Sequence, residues 1–156
     1  MNRLHFLKII LASAIVAKLS AFKAKKKFQD TTLYFQPETG DKIPLKGLID
    51  KDGLVYISGK DLADTIGERK FINEQRKKLV FVKKNQRITF TADSTFLKID
   101  ENIFQLFYPV KFIDDDYFIQ IVEFTQVINQ YSAIQLFYNE AEKTLSYHDK
   151  GYSISG

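Results

Sequence analysis

The sequence of 156 residues contains no cysteine, no tryptophan, three prolines and only two histidines. Without cysteine the chain can form no disulfide, thiolate nucleophile, cysteine-ligated zinc or iron–sulfur centre, or lipid anchor attached through a thiol. The two histidines, His5 and His148, are too few for a histidine-rich metal site. Ser58 and Ser94 have no histidine and acid in an evident relation to them. The sequence therefore predicts a protein that is not an enzyme and binds no cofactor or metal.

The chain does have an apolar composition that can build a core, with 45% hydrophobic residues, 14 phenylalanines and 8 tyrosines. Its length fits one ordinary domain or two very small ones. The formal net charge of +4 is unevenly distributed, because residues 1–28 carry seven Lys and Arg residues and no acid. The overall basic balance is therefore mainly a property of the N-terminus.

Residues 1–24 have the pattern of a secretory leader. A short basic segment, Met1–Lys8, precedes the apolar run Ile9–Ala17, which has the length used by signal peptides and is too short to span a bilayer. Ala21 and Ala24 are the candidate cleavage sites. The segment predicts export to the periplasm or the extracellular space. An uncleaved amphipathic helix on a membrane surface and a disordered basic N-terminus are the alternatives.

From Thr31 onward the hydrophobic pattern mostly has a period of two, which predicts a β-dominated α+β fold with mostly antiparallel neighbours. One short helix interrupts it. Ser58 is the expected N-cap, with the Asp61 carboxylate reaching back to a free N–H, and Gly67 is the expected left-handed C-terminal residue. Strands are predicted at 32–35, 43–45 (an edge segment because it contains Pro44), 54–57, 79–82, 87–91, 96–99 and 103–106.

Two parts of the sequence repeat. Residues 54–67 match residues 116–129 at an offset of 62, with Asn129 in place of Gly67 and a poor N-cap, Gln120, in place of Ser58. Residues 71–81 then match residues 137–147 at an offset of 66, after a four-residue insertion at 130–133. The predicted unit is a strand, a short helix and a β-hairpin, present at about 54–81 and 116–147 and joined by antiparallel strands.

This unit resembles the copper amine oxidase-like N-terminal domain, which usually occurs in tandem. The residues that carry the resemblance are Val55–Ser58, Asp61–Ala63, Ile66–Gly67, Lys78–Phe81, Ile88–Thr89 and Tyr108–Pro109, with a weaker copy from Phe118 to Tyr147. The resemblance implies a non-catalytic module of secreted and cell-envelope proteins, without a shared copper-ligand set, over residues 31–156. Such modules often precede N-acetylmuramoyl-L-alanine amidases that cut peptidoglycan, and residues 33–57 also look like the start of such an amidase.

Charged residues provide the candidate binding site. Residues 69–87 contain Glu74 as their only acid and eight cations, Arg69, Lys70, Arg76, Lys77, Lys78, Lys83, Lys84 and Arg87. This segment predicts contact with a cell-wall polymer or an acidic envelope protein, whereas a purely solubilising role is the alternative. Nucleic acid is not expected as the partner of an exported protein. The acidic run Asp114–Asp116 is interpreted as a solvated hairpin turn rather than a calcium or acid–base site.

The sequence thus predicts a non-catalytic, exported cell-envelope module that binds peptidoglycan or a partner protein. One alternative is the N-terminal targeting region of an N-acetylmuramoyl-L-alanine amidase without its catalytic domain. Another is a structural assembly subunit whose sheet edges accept an added strand. Membrane contact is expected only through an uncleaved leader, and the oligomeric state is left open.

Overall fold

A computed structural model describes residues 27–149, so the predicted leader at 1–24 lies outside the described residues. Within 27–149 two helices accompany the strands, α1 at Gly59–Ile66 and α2 at Ile121–Tyr131. Neither is long and apolar enough to cross a membrane. The strands are β1 Phe28–Gln36, β2 Ile43–Asp50, β3 Val55–Ser58, β4 Arg69–Asn73, β5 Lys78–Lys83, β6 Gln86–Thr91, β7 Phe96–Ile99, β8 Asn102–Gln105, β9 Lys111–Ile113, β10 Asp116–Gln120, β11 Ile134–Asn139 and β12 Thr144–Asp149.

The strands form two sheets, which confirms the prediction of a β-dominated α+β fold. One sheet has seven strands in the order β11-β12-β1-β2-β3-β10-β9, and the other has five in the order β4-β5-β6-β7-β8. Neighbouring strands are antiparallel except for β1 and β12, which pair in parallel from Tyr34↔Thr144 to Gln36↔Ser146. The parallel pair joins the first and last described strands, so it brings the two ends of the described chain together within one sheet.

The larger of two hydrophobic clusters lies between the sheets and the two helices, and the smaller one consists of Leu48, Tyr56 and Phe118. Phe90 of β6 is fully buried, and its ring meets Phe81 of β5 and Phe124 of α2 edge to face, at centroid distances of 5.9 and 5.5 Å. These T-shaped contacts are the preferred arrangement of aromatic rings. The contacts among Phe81, Phe90 and Phe124 therefore hold helix α2 against the five-stranded sheet.

Helix α1 begins where the sequence predicts. The Ser58 hydroxyl accepts a hydrogen bond from the Asp61 N–H at 3.0 Å, and Leu62, Ala63 and Ile66 form the buried face of the helix. The predicted backward reach of the Asp61 carboxylate is wrong. This carboxylate instead accepts from the Lys46 N–H at 2.7 Å, so it joins the helix to β2, whose pairing with β3 ends at Gly47.

Gly67 ends helix α1, but not in the predicted left-handed conformation. Its backbone is extended, with φ −73° and ψ 146°, and its N–H donates to the Ala63 carbonyl at 3.0 Å. A Cβ at position 67 would lie 2.5 Å from that carbonyl oxygen and 3.2 Å from the Phe81 Cβ. The glycine is therefore required by the close approach of the chain and not by a positive φ.

The substitution Gly67→Asn is expected to lower the free energy of unfolding by about 1–3 kcal/mol, because the added Cβ meets a backbone oxygen that cannot rotate away. Gly53→Asn is the matched control, since Gly53 has φ +84° and no atom within 4 Å of the place that a Cβ would take. Asparagine tolerates that conformation, so the control is expected to stay within about 1 kcal/mol of wild type. Urea denaturation measures both, and a Gly67→Asn protein as stable as wild type would contradict the extended conformation.

Helix α2 differs from its predicted boundaries at both ends. Gln120 is an effective cap, because its side-chain oxygen accepts from the Glu123 N–H at 2.8 Å. The prediction that Asn129 ends the helix is wrong, since α2 continues to Tyr131. The Asn129 amide instead donates to the Leu136 carbonyl at 2.8 Å and accepts from the Leu136 N–H at 2.7 Å. Asn129 therefore fastens the helix to β11.

The predicted segment at 43–45 is the start of a longer strand, and it is paired on one side only, by β1. Strand β2 is an interior strand of eight residues between β1 and β3. Only Gly47–Ile49 pair with β3. Pro44 lies outside this pairing, so the N–H that proline lacks is not needed for a hydrogen bond to β3.

Candidate functional site

The five-stranded sheet has two chemically different faces. Its inner face packs on the core, with Phe81, Ile88 and Ile99 aligned across three strands and almost completely buried. Both helices lie on this side, because Phe124 of α2 contacts Phe90 and Asp64 of α1 pairs with Lys70 at 2.5 Å. Side chains alternate between the faces of a sheet, so the next row in each strand points to the opposite side.

We call that opposite side the outer face. One of its rows crosses all five strands in register, from Phe71 through Val80, Thr89 and Lys98 to Ile103. By the same alternation the outer face consists of Arg69, Phe71, Asn73, Lys78, Val80, Val82, Arg87, Thr89, Thr91, Phe96, Lys98, Ile103 and Gln105.

Three large apolar side chains on the outer face are open to solvent, whereas Val82 on the same face is only 4% exposed. Phe71 is 53% exposed, Phe96 47% and Ile103 61%. Phe107 follows β8 and is 90% exposed. Its backbone is held in place, because the N–H groups of Phe107 and Tyr108 both donate to the Glu123 carboxylate, at 2.5 and 3.1 Å. Exposed aromatic side chains grouped on one surface are typical of a binding site.

Four cations, Arg69, Lys78, Arg87 and Lys98, share this face with the apolar side chains. Arg69 and Arg87 flank Val82 on the two neighbouring strands, so their Cα atoms are about 10 Å apart at the usual strand spacing. Lys98 has one acidic partner, Glu101, at 3.9 Å. The outer face therefore combines positive charge with aromatic rings.

Of the eight predicted binding residues, the structure places three, Arg69, Lys78 and Arg87, on the outer face. Lys70 and Lys83 are on the inner side, where Lys83 lies 3.9 Å from the Glu68 carboxylate and 5.1 Å from the Tyr147 ring centroid. Arg76, Lys77 and Lys84 are in hairpin turns, and the Lys77 ammonium lies 4.4 Å from the Phe112 ring centroid.

The sequence interpretation missed Lys98, Phe96 and Ile103. Their signal was present in the alternation of 96–99, where buried Leu97 and Ile99 separate Phe96 from Lys98. A charge count over a continuous segment could not find them, because they come from strands that follow the basic hairpin.

A cleft of about 590 Å³ lies where β3 ends and α1 begins, between β2 and β10. Its buried acid, Asp116, accepts from the Ser58 hydroxyl at 2.5 Å and from the N–H groups of Lys60 and Tyr117 at 3.1 and 2.7 Å. The prediction that Asp116 belongs to a solvated turn is therefore wrong. Three donors already occupy this carboxylate, which points to a structural role at the helix start.

The described residues provide little reactive chemistry. No group of three His, Cys, Asp or Glu side chains among residues 27–149 could hold a metal ion. Burial, with a smaller contribution from Asp50, raises the pKa of Tyr56 to about 12, so its hydroxyl stays protonated at neutral pH. His148 is exposed on β12 with its ring against Phe137, at a centroid distance of 5.4 Å.

No family model matches the sequence, and no curated protein or solved structure matches it either. The outer face is therefore the feature of the molecule from which a function can be inferred.

Proposed function

We propose that this chain is a non-catalytic cell-envelope module that binds an anionic glycan, peptidoglycan in particular, through the outer face of the five-stranded sheet. The observation that carries the proposal is the coincidence of four cations and three exposed apolar side chains on one face of the sheet. Alone, or as the targeting region of a peptidoglycan amidase, such a module would hold its chain on the wall.

An extended anionic glycan matches this face in two respects. Its carboxylates would pair with Arg69, Lys78, Arg87 and Lys98, an attraction that weakens as salt rises. The apolar C–H face of a sugar ring would lie flat on Phe71 or Phe96, which removes both surfaces from water. The first contribution depends on salt and the second does not, so the two are separable by experiment.

We also propose that the fold contains the two predicted repeats, as the resemblance to the tandem module implies. The register of β3 and β10 supports this, because Ile57 pairs with Ile119, its own counterpart at the offset of 62. Asp61 accepts from the Lys46 N–H and Glu123 from the Tyr108 N–H, and both residues of this second pair are again displaced by 62.

The two hairpins support the repeat as well. Asn73 pairs with Lys78 and Asn139 with Thr144, an identical register at the offset of 66. In each turn the asparagine side chain accepts from the N–H three residues ahead, at 3.0 and 3.1 Å. A shared register and a shared turn bond are expected when one unit occurs twice.

Pelleting of the purified full-length chain with insoluble peptidoglycan tests the binding proposal. We expect the wild-type chain to co-sediment at low salt and the double variant Lys78→Glu/Arg87→Glu to bind about tenfold more weakly. Phe96→Ala is expected to remove the binding that remains at high salt. Matched controls are Lys51→Glu/Arg76→Glu, with the same change of net charge in two turns, and Phe137→Ala, a phenylalanine 51% exposed on the other sheet.

Both controls are expected to bind as the wild type does. Absence of co-sedimentation at any ionic strength would overturn the proposal, and so would equal losses in the controls and the outer-face variants. Release of the bound chain by single-stranded DNA at lower concentration than by soluble glycan fragments would assign the face to nucleic acid instead.

A further inference from the structure

The two edges of the five-stranded sheet carry opposite charges. Edge strand β4 begins with Arg69 and Lys70, and all of its five residues are exposed. Edge strand β8 follows Asp100 and Glu101, and the Glu101 side chain is 98% exposed. The two edges also have apolar residues at similar positions. Phe71 and Ile72 follow the cations in β4, and Ile103 and Phe104 lie in β8 after the acids.

We propose that copies of this chain associate through these edges, with β4 of one copy beside β8 of the next. Each neighbouring pair from β4 to β8 is antiparallel, so β4 and β8 run in the same direction. A copy displaced along the sheet therefore pairs in parallel. We align the two copies so that the outer-face row from Phe71 to Ile103 continues in line from one copy into the next. In this register Arg69 lies beside Glu101, Phe71 beside Ile103 and Ile72 beside Phe104.

A second copy is favoured as the partner because one molecule carries both halves of the match. The pairing joins opposite charges at the start of the two strands, places Phe71, which is 53% exposed, beside Ile103, which is 61% exposed, and puts Asn73 beside Gln105. Edge strands with unpaired N–H and C=O groups accept an added strand in this way.

The seven-stranded sheet is a poorer candidate for strand addition. At its β11 edge, the Asn129 amide bonds both the N–H and the C=O of Leu136, and the Ser132 hydroxyl accepts from the Ile134 N–H at 3.2 Å. At the opposite edge, β9 has only three residues. These bonds and the short β9 direct association to the five-stranded sheet.

The contact is heterologous, because two different edges meet, and it leaves one free edge of each kind at the ends of every assembly. Association therefore continues into longer chains and does not stop at a dimer. It also extends the outer face from copy to copy, which would lengthen a polymer-binding surface, although the association does not depend on polymer binding.

Sedimentation velocity of the full-length chain over a wide concentration range tests this inference. We expect the average mass of the wild type to rise with concentration. Arg69→Glu and Glu101→Lys each put like charges side by side and are expected to weaken association about tenfold. Each variant keeps one native edge, so mixing the two is expected to restore association. The double variant Arg69→Glu/Glu101→Lys, with both charges exchanged, is expected to associate as the wild type does.

Glu140→Lys, an equal charge change in the exposed β11–β12 turn, is the control and is expected to leave association unchanged. Circular dichroism checks that every variant is folded. A wild type that stays monomeric, a closed dimer, or weakening that mixing does not restore would overturn the inference. Lys78→Glu/Arg87→Glu, which changes no edge residue, distinguishes a failure of glycan binding from a failure of association.

Discussion

Phe90→Ala is expected to lower the free energy of unfolding by about 3–5 kcal/mol. Phe90 is fully buried on the inner face of the five-stranded sheet, and its ring contacts Phe81 and Phe124. Removing the ring leaves a cavity where the sheet meets helix α2, and the strands on either side of β6 prevent the surroundings from closing it. Urea denaturation followed by circular dichroism measures the loss.

Phe96→Ala is the matched control for this prediction. Phe96 lies on the neighbouring strand but on the outer face, where it is 47% exposed. Its loss is expected to lower the free energy of unfolding by only about 1–1.5 kcal/mol, because about half of its surface stays in water on folding and its removal leaves no enclosed cavity. A loss as large as that of Phe90→Ala would show that the outer face is covered and would contradict its assignment as a binding surface.

Asp116→Ala is expected to lower the free energy of unfolding by about 2–4 kcal/mol. The Asp116 side chain accepts hydrogen bonds from the Ser58 hydroxyl and from the Lys60 and Tyr117 N–H groups. Without the carboxylate these three donors lose their acceptor in a site that is 7% exposed. The Ser58 hydroxyl also caps α1, so the first turn of the helix is expected to loosen with it.

Asp115→Asn provides the control for the acidic run. The Asp115 carboxylate is 81% exposed and makes one surface ion pair, with Lys60 at 3.2 Å. Asparagine also tolerates the positive φ of 61° at this position. The expected change is within about 1 kcal/mol, since exposed ion pairs contribute little. Equal losses at positions 115 and 116 would contradict the buried network.

Local patterns predicted the elements whose residues interact with their sequence neighbours. The Ser58 cap of α1 and the strands predicted at 87–91 and 96–99 are as expected. These features depend on hydrogen bonds and alternation within a few residues, which the sequence displays directly.

Contacts between distant segments account for the errors. The Asp61 carboxylate accepts a hydrogen bond from the Lys46 N–H, and the Asn129 amide oxygen accepts one from the Leu136 N–H. The Asp116 carboxylate accepts from the hydroxyl of Ser58, which is 58 residues away in the sequence. In each case a polar side chain satisfies backbone or hydroxyl groups of another element, and local spacing carries no sign of that partner. The sequence predicts a left-handed φ at Gly67. In the structure the nearby Ala63 carbonyl oxygen is what excludes a side chain at this position.

By itself the sequence determined the absence of thiol chemistry, the alternation that assigns residues of one strand to opposite faces, and the excess of positive charge in 69–87. Only the tertiary structure decided which face of the five-stranded sheet is covered by the helices and which is open. It thereby separated Arg69, Lys78 and Arg87 from the cations that pair with acids or lie in turns. Alternation is a local property of the backbone, but burial depends on what packs against it.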